Sequence, residues 1–181
     1  MEILIKEHES LQTETANKTE VLNQLEDKVK DWIEDHVEKR KLWFSSDFLP
    51  ANEKMNDDQE KNIKQLRDRS RGVKDEVRVA VALNLLTEEG LPHFHRLIAQ
   101  YLGDRSFWSK WNNMWTAEED RHGAAIRDYV RDARLFSFRE VELMQFHYIE
   151  SGFNPAWDKD PYKVFVYTTL QERATQVSHK N

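Results

Sequence analysis

The sequence predicts an all-α protein, on three observations. Apolar residues recur at three- and four-residue steps over long stretches. Only five glycines and four prolines punctuate 181 residues, too few for a hairpin-rich sheet protein. Period-two alternation is sustained nowhere, and Val164 to Tyr167 is the only locally ambiguous run. A chain of this length fits one domain, 1–181, with a real core.

Residues 1–18 are polar and are expected to form a frayed or surface-bound end. From Thr19, placed to act as an N-cap, Val21, Leu22, Leu25, Val29, Trp32, Ile33 and Val37 mark one face of a helix. Trp43 to Pro50 breaks that rhythm, and Pro50 to Asp58 reads as an extended polar connection. Within 51–71, Leu66 stands nearly alone among charges, which predicts a largely solvated region.

A second long pattern covers 74–102. Val77, Val79, Ala80, Val81, Ala82, Leu83, Leu85 and Leu86 leave almost no polar face, so burial on most sides is expected. Pro92 has no N–H and crowds the carbonyl of Glu88 four residues back, predicting a distortion there. Further helices are expected over about 106–134, 137–151 and 162–180, with Gly152, Asn154 and Pro155 in the last gap. Trp108, Trp111 and Trp115 read as core packing. There is no repeat and no low-complexity tract.

Composition narrows the chemistry. Cysteine is absent, which excludes disulfides, thiolate metal sites, iron–sulfur ligation and a thiol nucleophile. Any metal must be held by carboxylate, imidazole or water. A net charge of −6 and a pI near 5.7 argue against nucleic-acid binding. No stretch approaches the ~20 apolar residues of a membrane span, and the start is too charged for a signal peptide.

Acidic residues inside apolar helices then stand out, because an unpaired charge there is costly. The sharpest case is Trp115-Thr116-Ala117-Glu118-Glu119-Asp120-Arg121-His122-Gly123. Glu119 and His122 are three residues apart, so they share a helix face and can grip one ion. Glu-x-x-His is the spacing by which di-iron carboxylate bundles hold metal, together with lone glutamates on other helices. Glu88, after the run ending at Leu86, and Glu172, after Val164 to Gln171, fit the lone positions.

With these residues in view, the chain resembles the soluble acyl-carrier-protein desaturases, the plant stearoyl type and its bacterial relatives. The resemblance is carried by Trp43 through Asp47-Phe48-Leu49-Pro50, Thr87-Glu88-Glu89 with Leu91-Pro92, Trp115 through Gly123, and Tyr167 through Glu172-Arg173-Ala174-Thr175 to Ser178-His179. These stand in the family's order at closely similar spacing, from about Trp43 to the end. The resemblance implies a ferritin-like di-iron helical bundle with three of the four ligand-bearing core helices present. Glu88, Glu119, His122 and Glu172 match iron ligands, Thr175 a threonine beside the di-iron centre, and Trp43 a tryptophan of electron transfer. Glu89 and Glu118 are neighbours rotated about 100° away from the ligand face.

The implied activity is O2-dependent insertion of a double bond into an acyl chain carried by acyl carrier protein, with electrons from a ferredoxin-type donor, in a homodimer, in the cytoplasm. The family's second Glu-x-x-His lies on a helix after the one bearing Glu172, so two iron ions would lack that ligand pair here. Weak iron binding by a fragment or a truncated paralogue is the expectation, with a proton taken up by one of the remaining acids. His147 and Glu150 are in reversed order and do not replace the pair. Nor does His179, about 10.5 Å along a helix from Glu172. His93 and His95 read as surface or capping residues. The basic runs Lys39-Arg40-Lys41 and Arg67 to Arg71 could dock acidic partners or simply face solvent. Two alternatives stand beside the desaturase: another ferritin-like protein that stores iron or scavenges peroxide, and an inactive truncated paralogue serving as a partner subunit.

Overall fold

The computed structural model describes residues 2–49, 57–103, 105–156 and 160–180, with side chains described from Glu20 onward apart from His179. Among the described residues there are α-helices and one 3-10 turn, and no strand. The helices are α1 (Glu2–Lys39), α2 (Asp57–Ser70), α3 (Asp75–Glu88), α4 (Leu91–Leu102), α5 (Phe107–Ala133), α6 (Phe138–Ser151) and α7 (Pro161–Lys180), with the 3-10 turn at Ser45–Asp47. The all-α expectation holds. The predicted connection from Pro50 to Asp58 lies mostly outside the described residues.

Two element readings change. Helix α1 starts at Glu2 rather than Thr19. The first 18 residues contain no Gly or Pro, so nothing stops a nucleated helix from propagating through them. Helix α2 occupies most of a region read only as solvated. Its buried residues are Ile63 and Ser70, with Leu66 half-buried, and polar groups complete its inner face. Arg67 Nε donates to the Asp132 carbonyl at 3.0 Å, and Ser70 Oγ to that of Ala133 at 2.7 Å. These acceptors are carbonyls at the end of α5 that no helical N–H can reach.

The chain gathers into two compact units. One combines α1, the part of α4 from Arg96, the part of α5 up to Asn112, and α7. Leu22, Val29, Ile98, Leu102, Trp108 and Val164 are buried in it. The Trp108 indole N–H donates to the Leu22 carbonyl at 2.9 Å, and its ring stacks on Phe165 with centroids 5.2 Å apart. Trp108 is therefore core, as its spacing suggested. Glu26 accepts a hydrogen bond from the Phe107 N–H at the start of α5, a carboxylate where the helix dipole favours one.

The other unit, residues 40–95 and 113–153, is built on Leu85 of α3, Val130 of α5, Leu135 of the turn after α5 and Val141 of α6, with Val73, Val81, Ile126, Tyr129 and Phe136 against them. Only one side of α3 takes part. Val77, Val79 and Leu83 are more than half exposed, so the reading of α3 as buried on most sides is corrected to burial along one stripe. Arg78, on the same helix, donates to the carbonyls of Val73 at 3.0 Å, Ser70 at 2.9 Å, and Leu135. Helix α5 ends in a Schellman turn, with Leu135 N–H bonded to Val130 O and Arg134 N–H to Arg131 O. Arg134, at φ 50°, fills the left-handed position that usually falls to glycine.

Candidate metal centre

The site lies in the second unit, where the end of α3 meets the middle of α5. Helix α3 stops at Glu88, Glu89 is its C-cap, and the chain turns through Gly90 before α4 begins at Leu91. The distortion foreseen from Pro92 is thus a full break. Pro92 lands in the first turn of α4, where its missing N–H costs nothing. Gly90 is required by close approach: a Cβ there would lie 2.8 Å from Tyr148 Cε1 and 3.0 Å from the Thr87 carbonyl. Tyr148 of α6 therefore props the turn from below.

Glu119 and His122 stand one turn apart on α5, and Glu88 reaches them from the last residue of α3. His122 Nδ1 is 2.9 Å from Glu119 Oε2 and 3.9 Å from Glu88 Oε2. One ligand atom from each of the three residues lies within 4.8 Å of the other two. The carboxylates are well covered, with side chains 11% and 17% exposed against 38% for His122. The hydrogen bond that the imidazole donates to Glu119 and the negative charges of Glu119 and Glu88 raise the His122 pKa above its ordinary value, against the opposing pull of burial and of Arg121. The charge of the two carboxylates favours a proton on the imidazole between them. Two hard oxygen donors and one imidazole in this space fit a divalent cation of the iron or manganese kind, which would take the place of that proton.

Trp43 packs on the cluster. Its indole is nearly parallel to the His122 ring, 9° apart, with centroids separated by 5.6 Å. Phe48 meets the same indole edge-on at 5.6 Å. Residues 40–45 follow α5 as an irregular strap held at three points. Arg40 Nη1 bonds Glu118 Oε1 at 2.9 Å, the Trp43 carbonyl accepts from Arg121 Nη1 at 3.1 Å, and Ser45 Oγ donates to Asp128 Oδ2 at 2.7 Å.

Glu172 and Thr175 lie on α7, in the first unit. Glu172 is exposed, and Thr175 Oγ1 bonds the carbonyls of Gln171 and Glu172 at 3.1 and 3.0 Å. Glu89 pairs with Arg127 at 3.3 Å, and burial raises its pKa despite that arginine. His93 is buried, edge-on to Tyr148 at 6.3 Å, and His95 Nδ1 lies 2.7 Å from Thr116 Oγ1. Both are corrected from the surface or capping role. His147 and Glu150 form an exposed pair at 3.4 Å. Arg40 and Arg67 of the basic runs are committed to internal partners.

Sequence reasoning missed Arg40, Glu118, Arg121 and the Ser45–Asp128 bond. The available signal was the Glu118–Arg121 spacing, an i,i+3 pair on the helix that carries the ligands.

Residues 17–181 match the family model described as fatty acid desaturase. The chain is 34% identical over 172 residues to a seed-specific, chloroplastic stearoyl-[acyl-carrier-protein] 9-desaturase of Brassica napus, covering 91% of this chain and 43% of that protein. It is 33% identical over 174 residues to the chloroplastic stearoyl-[acyl-carrier-protein] 9-desaturase 2 of Oryza sativa subsp. indica, with the same two coverages. It is 34% identical over 174 residues to the chloroplastic palmitoyl-[acyl-carrier-protein] 4-desaturase 3 of Ophrys sphegodes, again covering 91% and 43%. The chain thus spans less than half the length of these relatives. Among the described residues, no helix is long and apolar enough to cross a membrane.

Proposed function

This chain belongs to the fatty acid desaturase family, and on that premise we propose that it contributes to an acyl-[acyl-carrier-protein] desaturase that inserts a double bond into a carrier-bound acyl chain. The observation that carries the reading is the convergence of Glu88, Glu119 and His122 within 4.8 Å, drawn from the motifs that resemble the family's iron ligands. In this reading Glu88, Glu119 and His122 hold iron together with Glu172, and Thr175 stands on the same helix face one turn beyond Glu172.

Bound iron supplies the oxidising power, with O2, that no side chain has against an unactivated methylene. The protein's share is placement and charge. Glu88 and Glu119 bring negative charge into a covered site, which attracts a metal cation and also holds the His122 proton that the cation must displace. His122 must release its Nδ1 proton to serve as a ligand. Trp43 covers one face of His122 and is the residue through which electrons from a ferredoxin-type donor reach the site. Acyl carrier protein as the substrate carrier follows from the relatives' names. A homodimer and a cytoplasmic setting belong to the same proposal.

The test combines metal binding with product analysis. The chain is titrated anaerobically with ferrous ion, then given stearoyl-acyl carrier protein, O2 and reduced ferredoxin, and the acyl products are read by mass spectrometry. Iron binding that disappears in E119Q and H122N supports the metal centre, and a product two mass units lighter supports the reaction. Identical iron binding by wild type and both variants would remove the metal centre from the proposal. An iron store or peroxide scavenger has less support, since the similar proteins are named as acyl-carrier-protein desaturases.

A further inference from the structure

The strap that carries Trp43 has no helix ladder to fix it, so its position depends on side chains. One of them meets Trp43 twice. Arg121 Nη1 donates to the Trp43 carbonyl at 3.1 Å, and the same guanidinium carbon lies 5.0 Å from the centre of the Trp43 ring. That distance is within reach of a cation–π contact, for which a planar guanidinium is well suited. Arg121 thus grips both the backbone and the ring of a single residue.

Arg121 is itself held. Glu118 Oε2 lies 3.8 Å from Arg121 Nη2, and the other oxygen, Oε1, takes Arg40 Nη1 at 2.9 Å. Arg40 stands three residues before Trp43, so Glu118 anchors the strap while steadying the arginine that grips it. The three side chains are only 12%, 21% and 28% exposed for Arg121, Glu118 and Arg40. Solvent screening is therefore weaker than for surface pairs. Glu118, Arg121 and His122 share α5, so the strap is located from the helix that carries the imidazole. The outcome is a parallel offset ring pair in the favoured separation range.

We propose that Glu118, Arg121 and Arg40 are positioning residues whose ion-paired clamp sets the indole of Trp43 flat against the imidazole of His122. The proposal deepens the reading of His122 as a metal ligand and Trp43 as an electron-transfer residue, and in that sense rests on it. The clamp makes the ring pair a fixed bridge to the metal-binding cluster, in place of a tryptophan free to swing with its loop.

The test uses the metal-free chain with histidine labelled in its ring, observed by NMR at a pH above the imidazole titration. The His122 signal is assigned by its loss in H122N, and W43L gives its position without the indole ring current. R121Q and E118Q are each expected to move the His122 signal toward its W43L position, with far-UV circular dichroism unchanged. R121K, which keeps the charge without the planar fork, is expected to restore part of the shift. A His122 signal that stays at its wild-type position in both R121Q and E118Q would overturn the clamp. Should R121Q fail to fold, E118Q and R40Q decide on the same criterion.

A separate arm tests the underlying reading. In the iron-loaded chain, reduced methyl viologen gives up one electron to become the dication as ferric ion becomes ferrous, followed by the viologen absorbance. Equal rates in wild type and W43L would defeat the electron-transfer reading of Trp43, while the NMR result still decides the clamp.

Discussion

Trp43 lies against His122 with its ring plane 9° from that of the imidazole, so one face of the histidine beside Glu88 and Glu119 is covered by a residue from an irregular segment. Helix α5 alone does not enclose the histidine. The strap covers one face of it while the side chain stays 38% exposed, and the charge state of His122 follows from its neighbours.

Titration of His122 in the metal-free chain should show a pKa above the ordinary imidazole value of about 6.5, because Glu119 and Glu88 favour its charged form. A raised folded-state pKa contributes stability that is complete below about 6.5 and is lost as pH rises through the folded value. E119Q should lower the His122 pKa and flatten that part of the stability–pH profile. Histidine NMR titration beside urea unfolding at several pH values checks both.

Metal should reverse that dependence. Ligation needs an unprotonated Nδ1, so ferrous or manganous affinity is expected to rise with pH through the His122 titration. Saturating metal should raise the melting temperature, and a ratio of metal to Kd near 100 corresponds to about 2.7 kcal/mol. E88Q, E119Q and H122N should each lose most of the gain. A thermal shift of undiminished size in all three would disprove the site.

Arg78→Ala should destabilise the second unit by about 2 kcal/mol, since three carbonyls lose a charged donor. Arg78→Lys should recover only part, because one ammonium cannot match a fork spread over Val73, Ser70 and Leu135. Chemical denaturation measures the difference.

Arg134→Gly should stabilise by roughly 0.5–1 kcal/mol. The residue holds φ 50° at the C′ position of a Schellman turn, a strain for any side chain that glycine does not feel. A fall in the denaturation midpoint would contradict this account.

Gly90→Ala should destabilise by about 1–3 kcal/mol through overpacking, since the new methyl would lie 2.8 Å from Tyr148 Cε1. The effect should be smaller on a Tyr148→Ala background, as expected of two residues in contact. Additive losses would show that Tyr148 is not what constrains the turn.

Much of the site could be read from the sequence because it depends on local spacing. Glu119 and His122 share a face by helix geometry, and Pro92 marked the end of α3 through the N–H it lacks. Glu88 was marked by its place at the end of an apolar run, whereas Trp43 needed the resemblance, since periodicity does not say which loop meets which helix. What stayed hidden was chiefly polar and distant in sequence. Arg67, Ser70 and Arg78 place their helices by reaching carbonyls of a remote turn, and such contacts leave no periodic trace. The same holds for Arg40 and Glu118. His93 was misread because a histidine next to a helix start looks like a cap until Tyr148 is seen against it.

The fastening of residues 40–45 also limits their length. The anchors on α5 advance from Glu118 to Asp128, about 15 Å of helix at 1.5 Å per residue. The strap spans Arg40 to Ser45, which reaches at most about 17 Å fully extended, and Phe44 is already in an extended conformation at φ −137°, ψ 160°. The backbone therefore has little slack beyond the reach of the Arg40 and Ser45 side chains. Removing one residue from it would shorten its reach by about 3.3 Å, a difference the Arg40 side chain would have to make up, whereas an inserted residue would add slack around the indole. Its length is as much a part of the site as its tryptophan.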